Sequence, residues 1–71
     1  MICLKIFCER LKELRKAEKL TQRDMAEKLN IVQPSYIRYE NGTAEPSQET
    51  LIKIAEIFDV SVDYLLGRKE L

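Results

Sequence analysis

Two short helical segments joined by a tight turn, between Thr21 and Gly42, place the strongest limit on how this chain can fold. Thr21 is a good helix N-cap, and Asp24 follows three residues later, which favours a capping box. Apolar residues then recur at helical spacing as far as Leu29. Asn30 follows, and asparagine commonly ends a helix in the left-handed conformation. The sequence therefore predicts a helix of about eight residues that ends at Leu29.

A second segment begins at Gln33-Pro34 and ends at Asn41-Gly42. Proline is tolerated in a first helical turn, where the N–H it lacks would have no partner. Proline also disfavours helical geometry at the residue before it. We therefore expect Gln33 to be the cap and the helix to begin one residue later. Two helices of about eight residues, separated by a turn of three or four, form the helix-turn-helix pattern.

The second helix has two different faces. Tyr36, Tyr39 and Glu40 recur at i, i+3, i+4 and are predicted to point inward. The residues on the opposite side, which are mostly polar, are Gln33, Ile37, Arg38 and Asn41. This open face is the candidate surface for contacting a partner.

Three further helices are predicted around this pair. The first runs from about Lys5 to Glu18, with apolar residues at helical spacing on one side. Ser47 caps a fourth helix, and Ser61 caps a short fifth helix that Gly67 ends. The prediction is an all-α chain of five helices.

Length and composition agree with one small helical domain. The 71 residues are 45% apolar and 34% charged, with two glycines and two prolines. We expect residues 1–71 to form a single domain with a core over about 5–67. Ile2, Leu4 and Ile6 also alternate like a strand, which would have to pair with a second copy of the chain.

Several classes of protein are disfavoured. No apolar run approaches the roughly 20 residues that cross a bilayer, and the first ten residues are too quickly charged for a secretory signal. Cys3 and Cys8 lack a histidine to complete a zinc site, so we expect reduced thiols in a cytoplasmic protein, with a redox or metal role as the alternative. No cofactor or small-molecule ligand is indicated. Without a glycine-rich phosphate loop or a paired nucleophile and base, an enzyme is not expected.

The charges are distributed unevenly along the chain. The formal net charge is zero, yet residues 1–42 hold nine Lys/Arg and six Asp/Glu, a net of +3, and residues 43–71 hold three and six, a net of −3. Attraction to phosphate depends on the local surface rather than on the sum. The basic half, which contains the helix pair, could bind DNA with modest non-specific affinity.

The outward face suits the major groove of B-DNA, which admits one α-helix and displays base identity. Gln33 can pair with adenine, Ile37 can contact a thymine methyl, and Arg38 can reach guanine or a phosphate. Asn41 and Thr43 lie at the end of the second helix, where backbone N–H groups can contact phosphate. Gln22, at the N-terminus of the first helix of the pair, is also favourably placed for phosphate.

A set of segments at fixed spacing extends the pattern over about residues 7–67. The segments are Leu14-Arg15, Leu20-Thr21-Gln22, Ala26, Tyr39-Glu40-Asn41-Gly42, Pro46-Ser47, Leu51, Ile54-Ala55 and Val62-Asp63-Tyr64-Leu65-Leu66-Gly67. Together they resemble the Cro/repressor (XRE-type) helix-turn-helix regulators of phages and bacteria. The resemblance implies a compact five-helix bundle of the lambda-repressor type. It also implies sequence-specific binding to double-stranded DNA by a transcriptional regulator that pairs as a homodimer on an inverted-repeat operator, with a repressor favoured over an activator.

The resemblance also assigns roles to individual residues. The positions that it implies for base contacts are Gln33, Pro34, Ile37 and Arg38. The full set of predicted phosphate contacts is Gln22, Arg15, Asn41 and Thr43. It further implies an ion pair between Arg15 and Glu40 that orients the second helix. The candidate dimer surface at the C-terminal helix comprises Val60, Tyr64, Leu65 and Leu71, with residues 1–6 as the second choice.

Some residues depart from the pattern of this family. Val32 stands where serine or threonine usually caps the second helix, and Lys19 replaces the usual turn glycine. If Gln33 is engaged in capping, it cannot also read a base fully. The zero net charge and this unusual entry to the helix keep an alternative open. In that alternative the chain is a protein-interaction module, such as an antitoxin-like or anti-regulator subunit, that uses the same fold without reading DNA.

Overall fold

The computed structural model describes residues 4–68, and this part of the chain contains five helices and no strand. They are α1 (Leu4–Ala17), α2 (Gln22–Leu29), α3 (Gln33–Asn41), α4 (Gln48–Phe58) and α5 (Val62–Leu65). The all-α prediction is confirmed, with α1 displaced by one residue at each end. Because α1 begins at Leu4, the strand alternative is wrong for Leu4 and Ile6, whereas Ile2 lies outside the described residues.

Three of the helices begin with the caps that the sequence predicts. The Thr21 hydroxyl accepts a hydrogen bond from the Asp24 N–H at 3.0 Å, and the Asp24 carboxylate accepts one from the Thr21 N–H at 2.9 Å. Ser47 accepts from the Thr50 N–H at 3.1 Å, and Ser61 caps α5 in the same way. Each cap satisfies an N–H group that has no partner within its helix.

The start of α3 differs from the prediction. Val32 is the N-cap residue, with extended geometry (φ −76°, ψ 150°) and no side-chain cap hydrogen bond, and the helix begins at Gln33. The Val32 carbonyl accepts hydrogen bonds from the N–H groups of Ser35 and Tyr36 at 3.1 and 3.3 Å. The backbone of Val32 therefore starts the helix, and Pro34 fits in its first turn, where no N–H partner is needed. Gln33 is consequently not the cap.

All five helices end in the same way. A residue with positive φ follows each helix, and the next N–H returns to the carbonyl five residues earlier, as in the Schellman motif. The left-handed residues are Lys19 (φ 57°), Asn30 (φ 57°), Gly42 (φ 76°), Asp59 (φ 54°) and Gly67 (φ 78°). At the end of α1, for example, the Leu20 N–H donates to the Arg15 carbonyl at 3.1 Å. Only two of these five positions hold glycine, the residue that adopts positive φ without steric cost.

Lys19→Gly is expected to raise the free energy of unfolding by about 0.5–1 kcal/mol, because it relieves the left-handed strain of a residue with a side chain. Urea denaturation followed by circular dichroism measures the change. The matched control is Lys28→Gly inside α2, which is expected to lower stability by about 1 kcal/mol. Equal losses in both variants would contradict the expectation.

The core lies between the inward faces of the helices. Its buried apolar residues are Phe7, Leu11, Met25, Ala26, Leu29, Tyr36, Leu51, Ile54, Ala55, Phe58 and Leu65. The apolar residues at helical spacing on α4, which are Leu51, Ile54, Ala55 and Phe58, are all buried. Leu14 of α1 packs against the core. Helix α3 packs against both α1 and α2, which leaves its remaining side open to solvent.

Candidate nucleic-acid interface

A buried carboxylate lies beneath the outward face of α3. Glu40 is only 1% exposed, and it accepts hydrogen bonds from Arg15 Nε at 2.6 Å, Arg15 Nη2 at 3.2 Å and Gln22 Nε2 at 3.1 Å. The Tyr36 hydroxyl, one turn earlier in α3, donates a further short hydrogen bond to the same carboxylate. A buried charge is tolerated only when it is paired and hydrogen-bonded, and Glu40 meets both conditions.

This network joins three helices. Arg15 belongs to α1, Gln22 opens α2, and Tyr36 and Glu40 lie on α3. The Arg15 side chain is 12% exposed, and its Nη1 also donates to the Leu20 carbonyl at 2.9 Å, in the turn after α1. Because the planar guanidinium makes several hydrogen bonds in a fixed geometry, it restricts the rotation of α3 about its own axis. The network therefore determines which side of α3 faces outward.

The same contacts shift the pKa values of these groups. Burial by itself would raise the pKa of Glu40, but the hydrogen bonds from Arg15, Tyr36 and Gln22 outweigh it and hold that pKa below its usual value. The hydrogen bond to Glu40 raises the pKa of Arg15. Burial, followed by the hydrogen bond to Glu40, raises the pKa of Tyr36 well above its ordinary value. At neutral pH the network thus contains one negative and one positive charge.

The structure brings the four predicted base-contact residues onto one side of α3. Gln33, Pro34 and Arg38 are exposed, and Ile37 is half-buried between them. Tyr36 is fully buried, and Tyr39 packs against the core. Since Val32 supplies the helix start, the Gln33 side chain is not needed for capping. The end of α3 that docks against base edges in this motif is consequently open.

The predicted phosphate-contact residues fall into two groups. Asn41 and Thr43 are exposed at the end of α3, and the Thr43 N–H already donates to the Arg38 carbonyl at 3.0 Å. The side chains of Arg15 and Gln22 both donate hydrogen bonds to Glu40. Spacing within α3 could have revealed the partnership of Tyr36 with Glu40, because they lie at i and i+4. No local signal in the sequence indicates that the Gln22 amide reaches Glu40, eighteen residues away.

The candidate dimer residues differ in how far they are buried. Leu65 is fully buried in the core, so its assignment to a dimer surface is corrected: a side chain inside the monomer is not available to a partner. Val60 and Tyr64 are half-buried, and Leu71 lies outside the described residues. The guanidinium of Arg10 stacks over the Tyr64 ring, 4.2 Å from its centroid, and donates to the Tyr64 carbonyl. Tyr64 therefore helps to hold α5 against α1.

The described residues also bear on metal binding and membrane spanning. Among residues 4–68, no cluster of three or more His, Cys, Asp or Glu side chains could hold a metal ion. The Cys8 thiol donates to the Lys5 carbonyl at 3.2 Å, and Cys3 lies outside the described part of the chain. Within the same residues, no helix has the length and apolar character needed to cross a membrane.

The two-helix unit, the buried anchor beneath it and the open face of α3 define a DNA-binding domain. Residues 11–65 match the family described as helix-turn-helix, so the chain belongs to the helix-turn-helix family of transcriptional regulators. Members of this family are not enzymes, in agreement with the sequence.

Named relatives agree with this family. The chain is 56% identical over 61 residues to the HTH-type transcriptional regulator YqaE of Bacillus subtilis (strain 168), covering 86% of this chain and 53% of YqaE. It is 45% identical over 60 residues to the cryptic phage CTXphi transcriptional repressor RstR of Vibrio cholerae, covering 84% of this chain and 54% of RstR. The chain thus spans about half the length of these curated relatives.

Solved structures show the same fold. A transcriptional regulator from Listeria innocua superposes with a TM-score of 0.84 at 34% identity, covering 92% of this chain and 61% of that one. The restriction-modification controller protein C.AhdI from Aeromonas hydrophila superposes with a TM-score of 0.78 at 29% identity, covering 87% of this chain and 94% of that one. The five-helix arrangement is therefore shared with known regulators.

Proposed function

We propose that this chain binds double-stranded DNA sequence-specifically by placing α3 in the major groove. It acts in the cytoplasm as a transcriptional repressor, in the form of a homodimer on an inverted-repeat operator. The observation that carries this proposal is the Glu40 network, which holds one side of α3 inside the protein while Gln33 and Arg38 stay exposed on the other. A fixed helix with free polar side chains is what direct reading of base edges requires.

Each outward residue has a distinct chemical role in the proposal. Gln33, at the first position of α3, offers an amide that can pair with adenine through two hydrogen bonds. Arg38 presents a guanidinium suited to the O6 and N7 acceptors of guanine. Ile37 and Pro34 offer apolar contacts only, because proline has no side-chain donor. The proposed face therefore makes both hydrogen bonds and apolar contacts to the base edges.

The proposed contacts to the DNA backbone involve fewer residues than the sequence predicts. A side-chain amide has two hydrogens, and Gln22 gives one to Glu40, so the other can be donated to a phosphate oxygen. Asn41 and Thr43 are exposed where α3 ends, and they contact the backbone on the same side of the groove. Arg15 is assigned a positioning role, since its donors are directed at Glu40 and the Leu20 carbonyl.

Homodimer formation is proposed because the surface that one recognition helix buries on DNA is small. A single module buries too little surface for operator-level affinity, whereas a two-fold dimer places two recognition helices about one helical turn, roughly 34 Å, apart on the duplex. Val60 and Tyr64 are the partly exposed residues of the proposed pairing surface. The relative RstR is a transcriptional repressor by name, which supports repression as the proposed sign of regulation.

Selection of bound duplexes from a random pool tests the base contacts. Gln33→Ala and Arg38→Ala are each expected to relax preference at a different base pair, with a loss of about 1–3 kcal/mol for the preferred site. Lys53→Ala, an exposed substitution on α4, is the control and should leave the preference unchanged. A uniform loss of affinity across all sequences would show that Gln33 and Arg38 contact only the backbone.

A salt titration distinguishes this function from protein interaction alone. If several phosphates are neutralised, the logarithm of the binding constant falls linearly and steeply with the logarithm of salt concentration. Absence of binding to any duplex at low salt would contradict the proposal and favour the interaction module that uses the fold without reading DNA.

A further inference from the structure

Val32 is an unusual residue at the entrance to α3. The residue is 66% exposed. The other exposed large apolar residue among those that the structure describes is Ile52, at 47%. It occupies the N-cap position of α3 without making a side-chain cap hydrogen bond. Serine, threonine, asparagine or aspartate would make that hydrogen bond. In the free protein, the Val32 side chain thus neither makes a capping hydrogen bond nor is buried in the core.

The position of Val32 is nevertheless well defined. Its carbonyl accepts hydrogen bonds from the N–H groups of Ser35 and Tyr36, so its backbone is fixed to the first turn of α3. Tyr36 is in turn anchored by its hydroxyl to buried Glu40. The exposed isopropyl group is therefore held at a definite place, immediately before Gln33. It is not a side chain on a free loop.

The surroundings of Val32 indicate what it could contact. Pro34 is exposed two residues later, and half-buried Ile37 lies one turn further on the outward side of α3. In a helix-turn-helix domain the N-terminal end of the second helix approaches the base edges. The apolar group that base edges present in the major groove is the C5-methyl of thymine. An exposed apolar side chain at this end therefore has a matching partner in a duplex.

We infer that Val32 is a specificity-determining residue that contacts the C5-methyl of a thymine in the major groove. The inference rests on the proposed function, since it requires α3 to dock in that groove. The proposed Val32 contact is to a base pair other than those assigned to Gln33, Ile37 and Arg38, because Val32 precedes the helix. Burial of the methyl against the valine removes apolar surface from water, which provides the attraction.

Deoxyuridine substitution tests the contact, because it removes only the methyl group from a thymine. Each thymine of the duplex selected from a random pool is replaced in turn, and binding is measured with the full chain. At one thymine in each half-site the unaltered protein is expected to lose about fourfold in affinity, the value of one buried methyl. Val32→Ala should bind the thymine and deoxyuridine versions of that site equally.

Three variants make the result specific. Ile37→Ala should lose sensitivity at a different thymine and keep it at the Val32 position. Val32→Thr, which retains one methyl and restores a capping hydroxyl, should keep most of the sensitivity and unfold at a higher temperature. Ile52→Ala removes the other exposed apolar side chain and should leave every deoxyuridine effect unchanged. Circular dichroism establishes that each variant is folded before binding is compared.

The outcomes separate this inference from the proposed function. Sequence-selective binding in which Val32→Ala retains every deoxyuridine effect would overturn the inference and leave the proposed function in place. Sequence-selective binding with no deoxyuridine effect beyond the Ile37 position would also overturn it. Failure to bind any duplex would overturn both.

Discussion

Glu40→Ala is expected to lower the free energy of unfolding by about 3–5 kcal/mol, because removal of one partner leaves the rest of a buried ion pair uncompensated. The Arg15 guanidinium would lose its carboxylate, and the Tyr36 hydroxyl would lose its acceptor inside the core. For a domain of this size, such a loss corresponds to a fall of roughly 15–30 °C in the unfolding temperature. Urea and thermal denaturation measure both quantities.

Two further variants show that the effect belongs to the network. Glu45→Ala removes an exposed carboxylate in the loop before α4 and should change stability by less than about 0.5 kcal/mol. Glu40→Gln keeps the shape and one acceptor oxygen, so its loss should lie between those of the two alanine variants. A loss below about 1 kcal/mol for Glu40→Ala would mean that α3 is held mainly by its apolar contacts.

The second large effect is expected in acid. Hydrogen bonds hold the pKa of Glu40 in the folded protein below the usual value of 4.5, so the unfolded chain binds more protons in the acidic range. The stabilisation from Glu40 is therefore complete above about pH 4.5. It is lost as the pH falls through the folded pKa, with a slope of up to about 1.4 kcal/mol per pH unit for one proton.

Unfolding by urea at a series of pH values from neutral to acidic measures this slope. Glu40→Gln should be less stable at neutral pH and should lose less stability on acidification, so the two stability curves approach each other. Asp24 also has a lowered pKa, because its carboxylate accepts a hydrogen bond from the Thr21 backbone, and it contributes to the remaining slope of both proteins. Parallel curves for the two proteins would show that Glu40 does not titrate with folding.

Most of the fold follows from signals that lie close together in the sequence. Thr21, Ser47 and Ser61 cap the helices they were expected to cap, because an N-cap needs only a hydroxyl and an N–H three residues away. The spacing of apolar residues predicts α4 and its buried side. Asn30 and Gly42 end their helices with positive φ as expected. These features depend on local backbone geometry, which a short stretch of sequence determines.

The differences arise where the structure depends on contacts between distant residues. Resemblance to a family indicates that Arg15 and Glu40 pair, but nothing local indicates that Gln22 completes the network across eighteen residues. Leu65 has the apolar character of either a core or an interface residue, and only the packing of α5 assigns it to the core. Pro34 disfavours helical geometry at Gln33, which is why the sequence predicts that Gln33 is the cap. In the structure Val32 is the N-cap residue and Gln33 is the first residue of the helix.

The hydrogen bonds that orient α3 come largely from α1 and α2, through Arg15 and Gln22. A substitution that shifts either side chain would tilt or rotate the reading helix without altering any atom that meets a base. If α3 reads an operator as proposed, operator preference can evolve from positions remote from the groove. A new target then becomes accessible before any DNA-facing residue changes.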